Sequence, residues 1–194
     1  MNDIDLLSGI LSKTGDLVAG VRDDQLSAPT PCPEYDVETL RNHIVGWLGV
    51  FEAGCHGRTY EGDAAAHVCG DDPAGEFRAT AAGLLEGWRT YGTDRKVAVT
   101  GGSELPAPMV LDMTLMEYLA HGWDLAVATG QPVPFTEEEG AAVLARAEGT
   151  LPPRYRGPGQ AFGDVVPVAA DAPAVDRFVA FMGRDPRAAD VLGR

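Results

Sequence analysis

The sequence is poor in positive charge, and this shortage limits what the protein can bind. Of its 194 residues, 15 are Lys or Arg and 29 are Asp or Glu, which gives a formal net charge of −14. A nucleic-acid backbone needs a basic face, so we predict no nucleic-acid partner. We attribute the acidic surface to solubility instead.

The sequence also lacks an apolar run of the length that a membrane helix needs. Such a helix takes about 20 consecutive apolar residues, and the nearest approach, residues 109–128, is interrupted by three acids and a histidine. The first five residues contain two acids and none of the basic residues that begin a signal peptide. We therefore expect a cytoplasmic protein with no membrane partner.

Cysteine is scarce as well. Cys32, Cys55 and Cys69 are the three in the chain, and no two of them stand in a C-x-x-C spacing. The odd number argues against a disulfide framework, and the missing spacing excludes a cysteine zinc knuckle. We expect free thiols in a reducing compartment. The chain also contains no GxGxxG or phosphate-loop motif.

Helical periodicity, by contrast, is abundant. Apolar residues recur three and four positions apart in six segments, which predicts six helices. The predicted helices cover residues 3–22, 36–54, 73–91, 108–129, 136–148 and 171–183. Strand signals are nearly absent, apart from a short extended piece at 97–99. We predict an all-α fold: a four-helix bundle over 1–149, with 150–194 as a Gly- and Pro-rich arm and a terminal helix packed on the same domain.

The most informative feature is a carboxylate and an imidazole on the fourth predicted helix. Glu117 and His121 are four residues apart, so both project from one helix face. The other residues of that face are apolar, and a carboxylate that faces a core is costly unless it is paired or bound to a metal. His43, on the inward face of the second predicted helix, would complete a two-histidine, one-carboxylate set with open coordination positions. Spacing alone leaves open the simpler interpretation of satisfied core histidines.

Three stretches resemble the DinB-like superfamily, specifically its branch related to the mycothiol-dependent maleylpyruvate isomerase. They are residues 30–37 (TPCPEYDV) leading to His43, residues 117–126 (EYLAHGWDLA), and the tail segments 155–163 and 176–186. The resemblance covers nearly the whole chain. It implies a four-helix bundle with a divalent metal, usually zinc, on His43, Glu117 and His121, and a low-molecular-weight thiol as cosubstrate. Nickel and iron also suit such ligands.

Together these features predict a metal-dependent enzyme with a small-molecule substrate. The metal would activate a mycothiol-like thiol for S-transfer or isomerisation of a small electrophile. Asp124, near His121 on the same helix, is either a partner of that imidazole or a solvated helix residue. The isomerase has a separate C-terminal domain for which 194 residues are too few, so we do not place maleylpyruvate isomerisation first. We expect a monomer or a homodimer.

Two alternatives stay open at the level of sequence. One keeps the metal and drops the thiol: a Lewis-acid hydrolase, cyclase or isomerase of specialised metabolism. The other is a non-catalytic metal-binding module, closed by a fourth protein ligand. His67 is the remaining histidine that could supply that ligand from a loop.

Overall fold

Four long helices form the framework of the structure. The computed structural model describes residues 2–99, 103–157 and 162–189. Within them the helices are α1 (Asp3–Ala19), α2 (Val37–Cys55), α3 (Pro73–Tyr91), α4 (Ala107–Thr129), α5 (Glu137–Thr150) and α6 (Ala174–Phe181). The strands are β1 (Lys96–Ala98) and β2 (Glu104–Pro106). The mostly helical fold confirms the predicted class.

Capping side chains explain why three helices begin where the sequence predicts. Asp36 and Asp72 accept hydrogen bonds from the backbone N–H groups of Thr39 and Gly75, both at 2.8 Å. Thr136 stands at the start of α5 in a capping box: its hydroxyl oxygen accepts a hydrogen bond from Glu139 N–H, and its own N–H donates to the Glu139 carboxylate. These contacts satisfy amide groups that have no partner inside the helix.

Two predicted helix ends are wrong. The first helix was expected to reach residue 22, but α1 ends at Ala19, and a separate 3-10 turn follows at Asp23–Gln25. The last helix was expected to begin at Asp171, but α6 begins at Ala174. Pro173 explains the later start, because proline disfavours the helical conformation in the residue before it.

The core lies between the four long helices. α1 and α2 each pack against both α3 and α4, and α5 packs against α4 and α6. α4 is buried on nearly all sides, with Tyr118, Leu119 and Leu125 fully inaccessible to solvent. A helix that is apolar all round belongs in an interior. None of the helices in the described ranges is both long and apolar enough to cross a bilayer.

A small hairpin fills part of the connector before α4. β1 and β2 pair antiparallel with Val97 opposite Leu105, and Val97 is buried against the bundle. The extended piece expected at 97–99 is therefore a strand over Lys96–Ala98, and its partner strand was not predicted. Gly101 and Gly102, predicted to break this connector, lie outside the described residues.

The arm predicted for residues 150–170 runs along α6. Arg156 donates a hydrogen bond from Nη1 to the backbone oxygen of Phe181 at 2.5 Å, and Val166 N–H donates to the oxygen of Ala180 at 2.9 Å. Pro158 and Gly159 of the predicted arm lie outside the described residues, as do residues 190–194. The described part of the arm thus links the end of α5 to the last helix.

Candidate metal centre

The three residues predicted as metal ligands meet between α2 and α4. Nε2 of His43 lies 2.7 Å from Oε1 of Glu117, and Nε2 of His121 lies 3.6 Å from the same oxygen. All three ligand atoms lie within 4.8 Å of one another. We call His43, Glu117 and His121 the first cluster. Their side chains are 15%, 25% and 10% exposed, so each is partly accessible to solvent.

Helix geometry brings these side chains together. Glu117 and His121 are one turn apart on α4, which puts both on the face toward α2. On α2, Leu40 and Ile44 are fully buried on either side of His43, so the imidazole is turned toward the bundle. The structure thus brings together the one residue of the second helix and the two of the fourth that the sequence analysis named, and their role as metal ligands stays a prediction.

The outer ring nitrogen of each histidine has its own partner. Nδ1 of His121 lies 3.0 Å from Oδ2 of Asp124, and Nδ1 of His43 lies 3.1 Å from the hydroxyl of Tyr35. Histidines that bind metals usually donate the N–H of the other ring nitrogen to such a group, which fixes the ring orientation. Both Nε2 atoms are thereby turned inward, toward Glu117.

An arginine that the sequence analysis missed supports this arrangement. Nη2 of Arg184 lies 2.9 Å from Oδ2 of Asp124, which is fully buried, and the Arg184 side chain is 12% exposed. Asp124 is therefore not a solvated helix residue. The tail segment that contains Arg184 was noticed only as part of a family resemblance, because nothing in the sequence links two residues 60 positions apart.

Both carboxylates of the centre are held in the charged form. Burial by itself raises the pKa of Asp124, but the Arg184 guanidinium and the hydrogen bond from His121 outweigh it, so the pKa lies below its ordinary value. The pKa of Glu117 is also lowered: burial raises it, but the neighbouring His121, the hydrogen bond with His43 and the Arg184 guanidinium together reverse that effect. The centre therefore contains two charged carboxylates, of which Asp124 is paired with the Arg184 guanidinium.

The proline-rich loop before α2 delivers Tyr35. The Thr30 hydroxyl lies 2.9 Å and 2.8 Å from the backbone oxygens of Cys32 and Tyr35, which closes the loop on itself. Burial raises the pKa of the Tyr35 hydroxyl, and the negative charge of Glu117 adds to the effect. Tyr35 is thus a protonated hydroxyl beside His43. The sequence analysis used this loop only for the family resemblance and did not predict the direction of this side chain.

The other histidines and the cysteines lie elsewhere. Nε2 of His67 lies 3.0 Å from Oε1 of Glu76, and these two residues form a separate group with Cys69. His67 therefore does not belong to the first cluster, contrary to the fourth-ligand alternative. His56 lies 2.9 Å from the backbone oxygen of Gly83. All three cysteines are free thiols, as expected.

A pocket of about 220 Å³ lies further along α2, and none of its lining residues belongs to the first cluster. Trp47, one turn beyond His43, lines it, and the centroids of the two rings are 5.9 Å apart. Val50, Tyr60 and Val99 contribute to the other walls. The pocket offers a mostly apolar space close to the candidate ligands.

A family model and two curated relatives match the chain. Residues 7–126 match the family model of the mycothiol maleylpyruvate isomerase N-terminal domain. The uncharacterized proteins MT0763 and Rv0738, from two strains of Mycobacterium tuberculosis, are each 33% identical over 178 residues, covering 88% of this chain and 91% of each relative.

A solved structure shares the fold. The crystal structure of a histidine-to-alanine mutant of the mycothiol-dependent maleylpyruvate isomerase matches with a TM-score of 0.60 and 19% sequence identity. The match covers 94% of this chain and 80% of that one. The predicted resemblance and fold are confirmed.

Proposed function

The chain belongs to the mycothiol maleylpyruvate isomerase N-terminal domain family, and from that premise we propose a metal-dependent enzyme of thiol chemistry. In this proposal His43, Glu117 and His121 hold one divalent cation, which activates a low-molecular-weight thiol of the mycothiol kind. The observation that carries the proposal is the approach of two imidazole Nε2 atoms to one carboxylate oxygen, at 2.7 Å and 3.6 Å.

The donor set fits a dication. Two neutral imidazoles and one carboxylate suit zinc, with nickel and iron as alternatives, and three protein ligands leave room for a further one. A dication bound there would lower the pKa of a coordinated thiol, so that the thiol is a nucleophilic thiolate at neutral pH. The lowered pKa of Glu117 supports this assignment, because the carboxylate is already charged before a cation arrives.

The surrounding residues control where protons sit on the imidazoles. Because the Glu117 carboxylate is charged, His43 without a cation would donate from Nε2 to Glu117, and its Nδ1 would accept a hydrogen bond from the Tyr35 hydroxyl. As a ligand through Nε2, His43 carries its proton on Nδ1 and donates to the Tyr35 oxygen. The Tyr35 hydroxyl proton is then available to a substrate oxygen. For His121, Asp124 accepts the Nδ1 proton in both cases.

The neighbouring pocket suits a small electrophile. Its volume of about 220 Å³ and its Trp47 wall would receive an apolar or conjugated body beside the thiolate. In isomerisation, the C–S bond forms at an unsaturated carbon, the π electrons move to a neighbouring carbonyl, the carbon–carbon bond rotates, and expulsion of the thiolate restores the double bond. In S-transfer, a leaving group departs with the bonding electrons instead.

Cobalt(II) spectroscopy tests this proposal, because a thiolate bound to cobalt produces an intense near-ultraviolet charge-transfer band. The experiment uses cobalt-loaded Cys69→Ser protein, which removes the cysteine that lies beside a second histidine and carboxylate. Mycothiol should produce the band in this protein and not in the His43→Ala/Cys69→Ser variant. Absence of the band, or thiol-independent turnover of maleylpyruvate, would contradict thiol activation. Thiol-independent turnover would favour the Lewis-acid alternative.

A further inference from the structure

A second group of metal-ligating side chains lies between α2 and α3. His67, Cys69 and Glu76 each offer one ligand atom, and these atoms lie within 4.8 Å of one another. We call them the second cluster. It shares no residue with the first cluster, so an inference about it does not depend on the proposed function.

The chain between a second 3-10 turn (Ala64–Ala66) and α3 directs two of these side chains to one side. His67 has an extended backbone, with φ −62° and ψ 136°, and no regular secondary structure follows it until α3. In extended chain, alternate side chains share a face. Val68, between His67 and Cys69, is 74% exposed, which shows that the intervening side chain points to solvent.

The start of α3 supplies the third group. Asp72 caps the helix and its backbone oxygen accepts a hydrogen bond from Glu76 N–H at 3.0 Å, so Glu76 stands in the well-defined first turn. Its Oε1 lies 3.0 Å from Nε2 of His67. The carboxylate therefore faces the loop that carries the imidazole and the thiol.

The contact with Glu76 does not give the His67 imidazole a hydrogen bond. Within the described residues its Nε2 atom is buried and makes no hydrogen bond, although the Glu76 oxygen is close enough for one. The two atoms therefore approach each other away from the hydrogen-bonding direction. A buried nitrogen without a partner is costly. A close approach of nitrogen and carboxylate oxygen that is not a hydrogen bond leaves both atoms free to bind a cation.

The loop is held against α2 by two contacts one turn apart. Cys69 N–H donates a hydrogen bond to Oδ1 of Asn42 at 3.1 Å. At Gly46, a Cβ atom would stand 2.6 Å from Cβ of His67 and 2.7 Å from the backbone oxygen of Ala64. Only glycine allows this approach without a shift of the loop. The second cluster is thus fixed to the bundle before any ligand arrives.

From this geometry we propose that His67, Cys69 and Glu76 bind a second divalent cation, with zinc as the physiological ion. One imidazole, one thiolate and one carboxylate suit a borderline-soft cation, and sulfur disfavours magnesium and calcium. A fourth position stays open for a non-protein ligand. The bound ion joins the loop to α3, so its role is to stabilise the loop that also lines the Trp47 pocket through Ala64 and Ala65.

Metal binding at this cluster must release a proton. Burial raises the pKa of the Cys69 thiol to about 11, and Glu76 adds to this rise while Arg41 opposes it. The free thiol is therefore protonated at neutral pH, whereas a cysteine bound to zinc is deprotonated. Proton release upon zinc addition supplies a second readout that is independent of enzymatic activity.

Metal content and cobalt spectra test the proposal on the full chain. Metal-free wild-type protein should take up two cobalt ions per chain and show a thiolate-to-cobalt band without any added thiol. Cys69→Ser should take up one ion and lose the band, and Glu76→Gln should keep the fold and bind the second ion at least about tenfold more weakly. Cys55→Ala, at a buried cysteine outside both clusters, should keep two ions and the band.

The same experiment distinguishes a failure of the second proposed site from a failure of the first. His43→Ala should lose one ion and keep the thiolate band, because its own cluster contains no cysteine. If the wild-type protein shows no band, or if Cys69→Ser still binds two ions, the second site does not exist. If the band persists in Cys69→Ser but disappears in Cys55→Ala, sulfur coordination occurs elsewhere and the assignment is equally wrong.

Discussion

The two clusters of candidate ligands differ in the elements and hydrogen bonds that support them. The ligands of the first cluster come from two long helices, and a hydroxyl or a carboxylate holds the outer nitrogen of each imidazole. The second cluster joins a loop to the first turn of a helix, and its histidine is left with an unsatisfied nitrogen. Binding sites built on helices and supported by further hydrogen bonds hold their ligand atoms in a more exact geometry than sites on loops. This difference suits chemistry at the first cluster and a stabilising ion at the second.

The largest expected effect concerns the buried ion pair behind the first cluster. Arg184→Met leaves the Asp124 carboxylate fully buried without its cationic partner, which should lower the free energy of unfolding by about 3–5 kcal/mol. Urea denaturation measures this change. Arg187→Met is the matched control, because Arg187 pairs with Asp185 at the surface, and it should leave the midpoint unchanged. Equal stability of the two variants would contradict a supporting role for Arg184.

The next largest effect is a loss of zinc affinity at the first cluster alone. Asp124→Asn removes the charge that holds Nδ1 of His121, so zinc affinity at the first cluster should fall about 10- to 100-fold. Competition with a chromophoric chelator measures both sites in one titration. The second cluster should be unaffected. An equal loss at both clusters would mean that the variant disturbs the whole fold.

A smaller effect is expected on the other imidazole of the first cluster. Tyr35→Phe removes the hydroxyl that lies 3.1 Å from Nδ1 of His43, and zinc affinity should fall about tenfold. Tyr91→Phe is the control, because Tyr91 is 52% exposed and contacts His56 instead. If both tyrosine variants bind zinc as the wild type does, Tyr35 does not hold the ring.

The smallest expected effect is a change in stability at Glu139, which lies outside both clusters. The Glu139 carboxylate pairs with Lys13 at 2.5 Å. Burial raises its pKa, but hydrogen bonds from Lys13 and Thr136 outweigh burial, so the pKa is lowered. Its stabilisation is therefore present above the unfolded-state pKa of about 4.3 and is lost as the pH falls through the lower folded-state value.

Glu139→Gln should accordingly cost about 1 kcal/mol of stability at neutral pH, with the difference from wild type disappearing in acid. Denaturation at a series of pH values measures this, and metal content should stay unchanged. A difference that grows as the pH falls would contradict the sign of the shift.

The difference between the clusters also explains what the sequence could predict. Glu117 and His121 could be predicted from the sequence because helical periodicity determines which residues share a face. The same rule applied to α2 identifies His43. His67 and Cys69 lie in a segment without periodicity, and their partner Glu76 belongs to the next helix. Helical periodicity gives no information about which side chains meet in a loop, so the second cluster was not predicted.

Two further residues show the same limit. Arg184 contacts Asp124 across 60 positions of chain, and such long-range pairs depend on how the arm and α6 pack. The Tyr35 side chain is aimed by hydrogen bonds of Thr30 within a proline-rich loop, which composition identifies as rigid without giving its direction. The fold class follows from helix faces alone, whereas the supporting residues of the site depend on tertiary contacts.

The central claim is that His43, Glu117 and His121 bind one divalent cation. Zinc titration of the Cys69→Ser protein tests it most directly, because that background leaves only the first cluster of the two. We predict one zinc per chain, weaker binding in Glu117→Gln, and none after His43→Ala or His121→Ala in the same background. One zinc per chain that persists in both histidine variants would contradict the claim.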